Sequence, residues 1–538
     1  NQDWPSKLGL KGVSDLAFPR VTAAGYTAMG PATQQRIQTP IRDTDVVDVL
    51  SWFHGSHAIK FGGEFRIVRN VDILNDAVSG SLAFNTQPTG LPNTGNTGNG
   101  MASLLVGFPN SGTIHATLPL DRRAKYFATF VQDDWKVTRN LTLNLGMRWD
   151  AHFPRTDVNN RQNSFNTTEI NPVSNTPGVV TFAGLDGLGS QIYDGDWNNF
   201  APRVGLAWKP FGLQKTVIRS GFGIFYGVPL EGSNNTSAGF ETAGNFSTPD
   251  NGITAPFLLR DGFPGSASTE ELGPGFGAVP VGSPVIFAPT YIEQERQLGY
   301  TEQWNFDVQQ ELGWDTVLDV GYLGNAGHRL PGPNTSLNQV PEALMGPGNA
   351  QMRRPFPQFG NVSLIAPMWG NSSYHALNVK VEKRFSHGLN FLANYTFSKF
   401  IDDVPAAQEL GAESGGIQNF YNRKAEHALS GNDVPHRLVV SSVYELPLVK
   451  GKPWLSRGVG ARVLGGWSLA TIATFQQGAP MQVNTQTNTT NAFAPGSQRV
   501  DVLRDPALPA DQRRVQRWFD TTALAAPAPF TFGYSSRS

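Results

Sequence analysis

Three pairs of residues have the type and the spacing to bind a metal ion. They are His54 with His57, Asp194 with Asp196, and Asp402 with Asp403. Calcium takes carboxylate oxygens, but the acidic pairs lack the full ligand series of a calcium-binding loop. A hairpin turn explains the two histidines better than a metal site does, and solvated loops explain the acids. We therefore expect no metal ion and no cofactor.

The sequence carries no recognisable catalytic or nucleotide-binding motif. The signatures G-x-S-x-G, H-E-x-x-H and the phosphate-binding loop are absent, and the absence of cysteine excludes disulfides and cysteine nucleophiles. The run Gly221–Tyr226 (GFGIFY) is no dinucleotide loop, because it lies in a predicted strand and no helix follows it. Its glycines favour a strand that bends or packs closely. We expect no enzymatic activity.

Two long segments between predicted strands, 152–201 and 324–372, combine aromatic side chains with arginines. This combination suits recognition of sugars, peptides or chelated metals, because aromatic faces attract apolar ring surfaces and cations. The candidate substrate-binding residues are Tyr193, Trp197, Arg353, Arg354, Phe356 and Trp369. Packing of the loops against one another explains the same residues equally well.

The elements that position these loops show a period of two in the sequence. In Leu141–Asp150 the apolar residues occupy the odd positions and the more polar residues the even ones. A β-strand places alternate side chains on opposite faces, so each such segment predicts a strand with one apolar face. Alternation, helped by spacing where it is weak, predicts twelve strands at 44–53, 57–69, 124–137, 141–151, 202–208, 216–227, 302–312, 316–323, 373–385, 389–400, 436–447 and 465–477.

The connections between the predicted strands alternate in length. Strands of one hairpin are joined by turns at 54–56, 138–140, 209–215, 313–315, 386–388 and 448–464. Successive hairpins are joined by long loops at 70–123, 152–201, 228–301, 324–372 and 401–435. Short periplasmic turns and long extracellular loops are typical of membrane barrels. The predicted fold is therefore all-β: a transmembrane antiparallel up-and-down β-barrel.

The polar face of these strands has two interpretations. In a soluble sandwich the polar face meets water, whereas in a membrane barrel it lines the lumen and the apolar face meets lipid. The regular alternation of short and long connections favours the barrel. So do the aromatic residues near the strand ends, which resemble the aromatic girdles at membrane interfaces. The predicted lumen-facing or plug-facing residues are Asn144, Arg148, Asn305, Asp307, Lys380, Glu382 and Arg384.

Composition agrees with this fold. Lys and Arg number 42 against 43 Asp and Glu, so net charge gives no reason to expect a nucleic-acid partner. Charged residues make up 16% of the chain, below the roughly 25% of soluble domains. No run reaches about 18 apolar residues, as a transmembrane helix requires, whereas barrel strands need only alternate.

Two hairpins have recognisable sequence patterns. Tyr126–Arg148 contains F-x-Q-D-x-W before its turn and L-x-L-x-x-G-x-R after it. Phe200–Tyr226 contains P-R-x-G-x-x-W followed by G-x-G-x-x-Y. Both patterns resemble those of TonB-dependent outer-membrane receptors. Similarity to the Oar-like branch of that family extends to Gln303–Arg329, Asn371–Asp402, Asp433–Leu446 and Arg514–Thr522.

The resemblance implies a barrel of about 22 strands that an N-terminal plug fills. This chain shows no plug or TonB box, has about twelve predicted strands, and ends in Tyr534–Ser538 rather than in a closing aromatic strand. We therefore expect 1–538 to be one partial barrel domain from a longer protein. Its strands should lie between about 44 and 477, with 1–43 and 478–538 mostly loop.

The resemblance also implies a function. A TonB-dependent barrel in the bacterial outer membrane imports a bulky nutrient such as an oligosaccharide, a peptide or a metal chelate. Its partners would be the membrane lipid, an unidentified nutrient, and the TonB energy-transducing complex, reached through an N-terminal part. Two alternatives stay open: a barrel that serves as an adhesin or assembly component, and a soluble secreted all-β binding protein.

Overall fold

Twelve long strands, numbered here in chain order, form one antiparallel sheet in the computed structural model. They are β1 (Ile41–His54), β2 (His57–Asp76), β3 (Leu120–Thr138), β4 (Leu141–His152), β5 (Asp196–Trp208), β6 (Thr216–Tyr226), β7 (Tyr300–Gly313), β8 (Thr316–Pro331), β9 (Met368–Ser386), β10 (Leu389–Asp402), β11 (His436–Glu445) and β12 (Ser468–Gln476). The structure describes all residues except 1, 14–15, 32–33, 39, 92–96, 119, 186–187, 211, 228–238, 249–253, 265–271, 284–285, 405–415, 447–458, 460–465, 486–487 and 538.

Each long strand pairs with the next one along the chain, so the sheet has up-and-down topology. Three short strands add to it: Gln34–Gln38, Thr156–Asp157 and Ala428–Leu429. Among the described residues, β1 and β12 each pair along one side only, and the sheet does not close on itself. The prediction of an antiparallel, partial barrel sheet of about twelve strands is confirmed.

The strands are longer than the alternating sequence pattern at one end. β2 continues past position 69 to Asp76, β8 continues past 323 to Pro331, and β9 begins at Met368 instead of 373. All these extensions lie where the long loops begin. The alternation of polarity marks only the part of a strand that borders the apolar band, whereas backbone pairing continues beyond it.

The turns at the opposite end are tight. Trp314 and Asp315 join β7 to β8, and both have positive φ, of 48° and 56°. His387 and Gly388 join β9 to β10 with φ of 53° and 80°. Two successive residues with positive φ match the right-handed twist of a hairpin, so these turns fix the register. The predicted turn at 448–464 lies almost entirely outside the described residues.

The apolar face of the sheet is exposed. In β4, Leu145 is 41% and Met147 43% exposed, and Val204, Phe306 and Leu377 of other strands are exposed on the same face. A soluble sandwich would bury this face. The clusters of buried apolar residues instead belong to the loops and terminal segments, so the sheet's apolar side is free to meet lipid.

The long loops fold against one another around aromatic cores. One core contains Phe165, Phe182, Phe356 and Phe359, which come from two different loops. The loops and terminal segments hold strands Arg20–Ala23, Ser81–Phe84, Ser111–Thr117, Asn163–Ile170, Pro177–Phe182, Glu241–Ser247, Thr290–Tyr291, Thr335–Ser336, Ser363–Leu364, Asp501–Val502 and Leu524–Ala525. Their helices are Trp4–Leu8 and Gly100–Leu105, with 3-10 turns at Gln87–Thr89, Glu342–Leu344, Gln351–Arg353, Arg423–Glu426 and Thr521–Ala523. None of the described helices is long and apolar enough to cross a membrane.

Candidate functional site

An open cleft lies at the long-loop end of the sheet, with a volume of about 660 Å³. The start of β9 forms one wall, and the 3-10 turn Arg423–Glu426 with its neighbours forms the other. The lining residues are Trp369, Asn371, Asp403, Ile417, Tyr421, Asn422, Arg423, Lys424 and His427. Volumes of this size are typical of small-molecule sites.

The 3-10 turn is held in place by a buried ion pair beneath the cleft. The Arg499 Nη2 atom donates to the Glu426 carboxylate at 2.5 Å, and the Gln418 backbone N–H donates to the same oxygen at 2.9 Å. Both charged side chains are 2% exposed. Burial lowers the pKa of Arg499, while the Glu426 carboxylate opposes that change. The C-terminal segment thus fixes the turn that presents Arg423 to the cleft.

Aromatic and charged groups meet inside the cleft. The Arg423 guanidinium lies 4.3 Å from the centre of the Trp369 ring. The Tyr421 hydroxyl donates to the Gln339 carbonyl oxygen at 2.9 Å, and partial burial raises the pKa of Tyr421. Asn371 donates to the Asp403 carboxylate through its backbone N–H at 2.5 Å and its Nδ2 at 2.9 Å.

This arrangement suits a polar ligand that carries an anionic group. Arg423 and Lys424 are exposed cations, and Asp403 is the one carboxylate among the described lining residues. Trp369 and Tyr421 offer aromatic surface next to them. An aromatic side chain with a cation beside it can bind one ligand in two ways at the same time. The aromatic ring contacts a ring face of the ligand, and the cation pairs with the ligand's carboxylate or phosphate.

One predicted substrate-binding residue, Trp369, lines the cleft. Tyr193, Arg354 and Phe356 are buried instead. Phe356 packs edge-on against Phe165, and Arg354 donates to the Asn338 carbonyl at 2.6 Å. Burial lowers the pKa of Arg354 to about 10. These three side chains pack the loops together, as the packing alternative expected.

Two more predicted residues lie elsewhere on the loops. Arg353 donates to the Gly346 carbonyl at 2.9 Å within its own loop. Trp197 is exposed, packs edge-on against Phe153, and accepts a bond from Trp149 through its carbonyl. Neither residue lines the cleft. A ligand role for them stays a prediction.

Sequence reasoning missed most of the cleft. Tyr421, Arg423 and Lys424 belong to loop 401–435, where only the pair Asp402 and Asp403 was considered. The run Asn419–Lys424 (NFYNRK) carries the same signal, aromatics beside basic residues, that singled out the other loops. Applied evenly to all five loops, that criterion would have found it.

The predicted lumen residues share one face of the sheet, and Arg148 is the centre of a network there. Arg148 donates to Glu64 at 2.9 Å, to Asp150 at 2.9 Å and to the Tyr126 hydroxyl at 2.8 Å. Tyr126 donates to Asp150, and Glu64 also accepts from Arg66 at 2.6 Å. These bonds join β2, β3 and β4 on the polar face.

The other predicted lumen residues continue this polar face. Asn144 donates to Asp134, and Asn305 donates to Asp307. The Lys380 Nζ lies 3.7 Å from the Glu382 carboxylate. Arg384 follows on the same strand at the same parity and is exposed. The register places Asp307 opposite Arg219 and Lys380 opposite Asp319, so polar groups continue on this face from β6 to β9.

Comparison with known proteins agrees with this architecture. Residues 2–538 match the family described as outer membrane beta barrel domain. No curated protein matches the chain.

Three solved structures illustrate the similarity. The outer membrane transporter YddB from Escherichia coli has 11% identity and a TM-score of 0.46, with 87% of this chain and 47% of that chain covered. The FrpB iron transporter from Neisseria meningitidis has 11% identity, a TM-score of 0.34, and 76% and 42% covered. The ferripyoverdine receptor of Pseudomonas aeruginosa has 9% identity, a TM-score of 0.34, and 76% and 36% covered. This chain spans less than half the length of each.

Proposed function

This chain belongs to the outer membrane β-barrel domain family and lies in the bacterial outer membrane, and we propose that it is part of a TonB-dependent receptor. The receptor imports a bulky nutrient across the outer membrane. The nutrient is an oligosaccharide, a peptide or a metal chelate. The protein works by binding and transport and has no enzymatic activity.

The observation that carries the proposal is the cleft at the long-loop end. Long loops of membrane barrels face the outside, so the cleft opens to the medium. Trp369 and Arg423 form a stacked pair there at 4.3 Å, next to Tyr421 and Lys424. An adhesin needs an exposed surface, whereas a receptor needs a concave site with converging polar and aromatic groups.

The polar face of the sheet supports a transport role. Asn144, Arg148, Asn305 and Lys380 give this face hydrogen-bonding groups from β4 to β9. A lumen with such groups can hold water, a plug or a polar solute, whereas an apolar lumen would exclude them. We propose that the TonB complex supplies the energy, as the resemblance of the two hairpins implies.

The test is ligand binding and uptake by cells that carry variants of the protein. Cells are given labelled oligosaccharides, peptides and ferric chelates, with and without TonB. Trp369→Ala and Arg423→Gln should each lower binding about fivefold or more, because each removes one contact worth about 1–3 kcal/mol. Loss of TonB should abolish uptake and leave binding intact.

Trp314→Ala is the matched control, because Trp314 is 88% exposed in a short turn at the opposite end. Its binding should equal that of the wild type. The proposal fails if no probe binds the wild type better than Trp369→Ala, or if uptake continues without TonB.

A further inference from the structure

A row of arginines crosses the first three strands on one face. Arg42 of β1 lies directly opposite Arg69 of β2, and Arg69 lies directly opposite Arg123 of β3. Directly opposed side chains share a face and stand about 5 Å apart. Lys125 stands on the same face two residues from Arg123, opposite Ile67. Four cations therefore occupy one small patch, here called the arginine row.

The arginine row lies on the lipid-facing side. Phe65 of β2 and Phe127 of β3 are opposed to each other, are exposed, and have the parity of Arg69 and Arg123. Arg123 and Lys125 are exposed. Arg122, which precedes them, and Ala124, which lies between them, are buried. The row thus comes directly after the apolar band, at the end of the sheet where the long loops begin.

Charge in the row is poorly balanced. Among the described residues of these strand ends, Asp121 is the one carboxylate on this face, and Arg69 binds it with two bonds of 2.7 and 2.5 Å. The positive charge of Arg123 also attracts the Asp121 carboxylate. Like charges directly opposite one another destabilise a sheet. Three opposed arginines with one carboxylate are costly unless an external anion binds them.

We propose that the arginine row binds the phosphate groups of anionic lipids in the outer leaflet. Arginine pairs with phosphate through two parallel hydrogen bonds, and several arginines in a row can hold more than one phosphate. The row lies just beyond the apolar band, at the depth where lipid headgroups begin. This surface is separate from the cleft, so it does not depend on the proposed import function.

The test is a titration of the protein, purified from outer membranes in a neutral detergent, with phosphatidic acid in mixed micelles. Arg42→Gln combined with Arg123→Gln should weaken binding about 25-fold, at about fivefold per arginine near an anionic surface. Arg42→Lys with Arg123→Lys keeps the charge and should lose much less. Each variant must show the heat-modifiable migration of folded protein.

Arg219→Gln is the matched control for Arg123→Gln alone, because Arg219 is exposed on the opposite, lumen-facing side and each substitution removes one positive charge. Its affinity for phosphatidic acid should be that of the wild type. Phosphatidylcholine and inorganic phosphate test lipid charge and the free ion, and both should bind far more weakly. The proposal is overturned if the double glutamine variant binds as tightly as the wild type, or if either of those two probes binds as well as phosphatidic acid.

Discussion

Adjacent residues of β4 face opposite environments. Leu145 is exposed on the apolar face, whereas Asn144 donates to Asp134 on the polar face. An arginine at the lipid midplane of a barrel strand costs about 2–4 kcal/mol, and lumen positions tolerate polar groups. Leu145→Arg should therefore sharply reduce the folded, heat-modifiable protein in the outer membrane, and Asn144→Arg should reduce it far less. Equal losses in the two variants would contradict the assignment of the faces.

Arg148 forms hydrogen bonds that join β2, β3 and β4 on the lumen side. Replacing it with methionine leaves Glu64, Asp150 and Tyr126 without their shared donor, and unmade bonds of this kind cost about 1–3 kcal/mol. Arg148→Met should therefore lower the midpoint of guanidinium unfolding. Arg219→Met removes an exposed arginine with one bond to Gln309 and should change that midpoint little. Equal midpoints in the two variants would show that the network adds no stability.

The loop ends and the turn ends of the strands should lie on opposite sides of the membrane. The chain has no native cysteine, so single cysteines can be labelled cleanly. Leu344→Cys, exposed in a long loop, should react with an impermeant maleimide on intact cells. Trp314→Cys, exposed in a short turn, should react only after the outer membrane is permeabilised. Labelling of position 314 in intact cells would reverse the topology.

The strands were predictable because their signal is local. A period of two identified most of the twelve, whereas β3 and β11 alternate weakly and were predicted mainly from their spacing. β3 alternates poorly because charged residues such as Asp133 and Lys125 share the parity of Phe127. Strand ends were predicted less well, since β5 begins at Asp196 instead of 202. Backbone pairing beyond the apolar band leaves no trace in hydropathy.

The loop architecture depends on distant partners. Arg20–Ala23 pairs in parallel with Ser81–Phe84, which in turn pairs with Ser111–Thr117. Such short strands carry too few residues to show a period, and their partners lie tens of residues away. The cleft has the same origin: Trp369 was found from its own loop, but its contact with Arg423 exists only in the folded chain.

The buried Glu426–Arg499 pair joins the C-terminal segment to loop 401–435. Glu426→Ala leaves a buried arginine without its partner, and losses of this kind cost about 3–5 kcal/mol. This variant should keep its heat-modifiable sheet, while its loops become more sensitive to protease on intact cells. Asp511→Ala, at an exposed site in the same segment, should match the wild type. Unchanged protease sensitivity in Glu426→Ala would show that the pair does not hold the loops.

The apolar face of the twelve-stranded sheet should meet lipid, and the polar face should meet the lumen. A nitroxide placed by cysteine substitution at Leu145 or at Asn144, in outer-membrane preparations, reports directly which environment each face meets. A nitroxide at position 145 should be relaxed by lipid-soluble oxygen, and one at position 144 by a water-soluble nickel chelate. If both positions respond to the nickel chelate alone, or neither responds to any agent, the apolar face does not meet lipid and the sheet is not part of a membrane barrel.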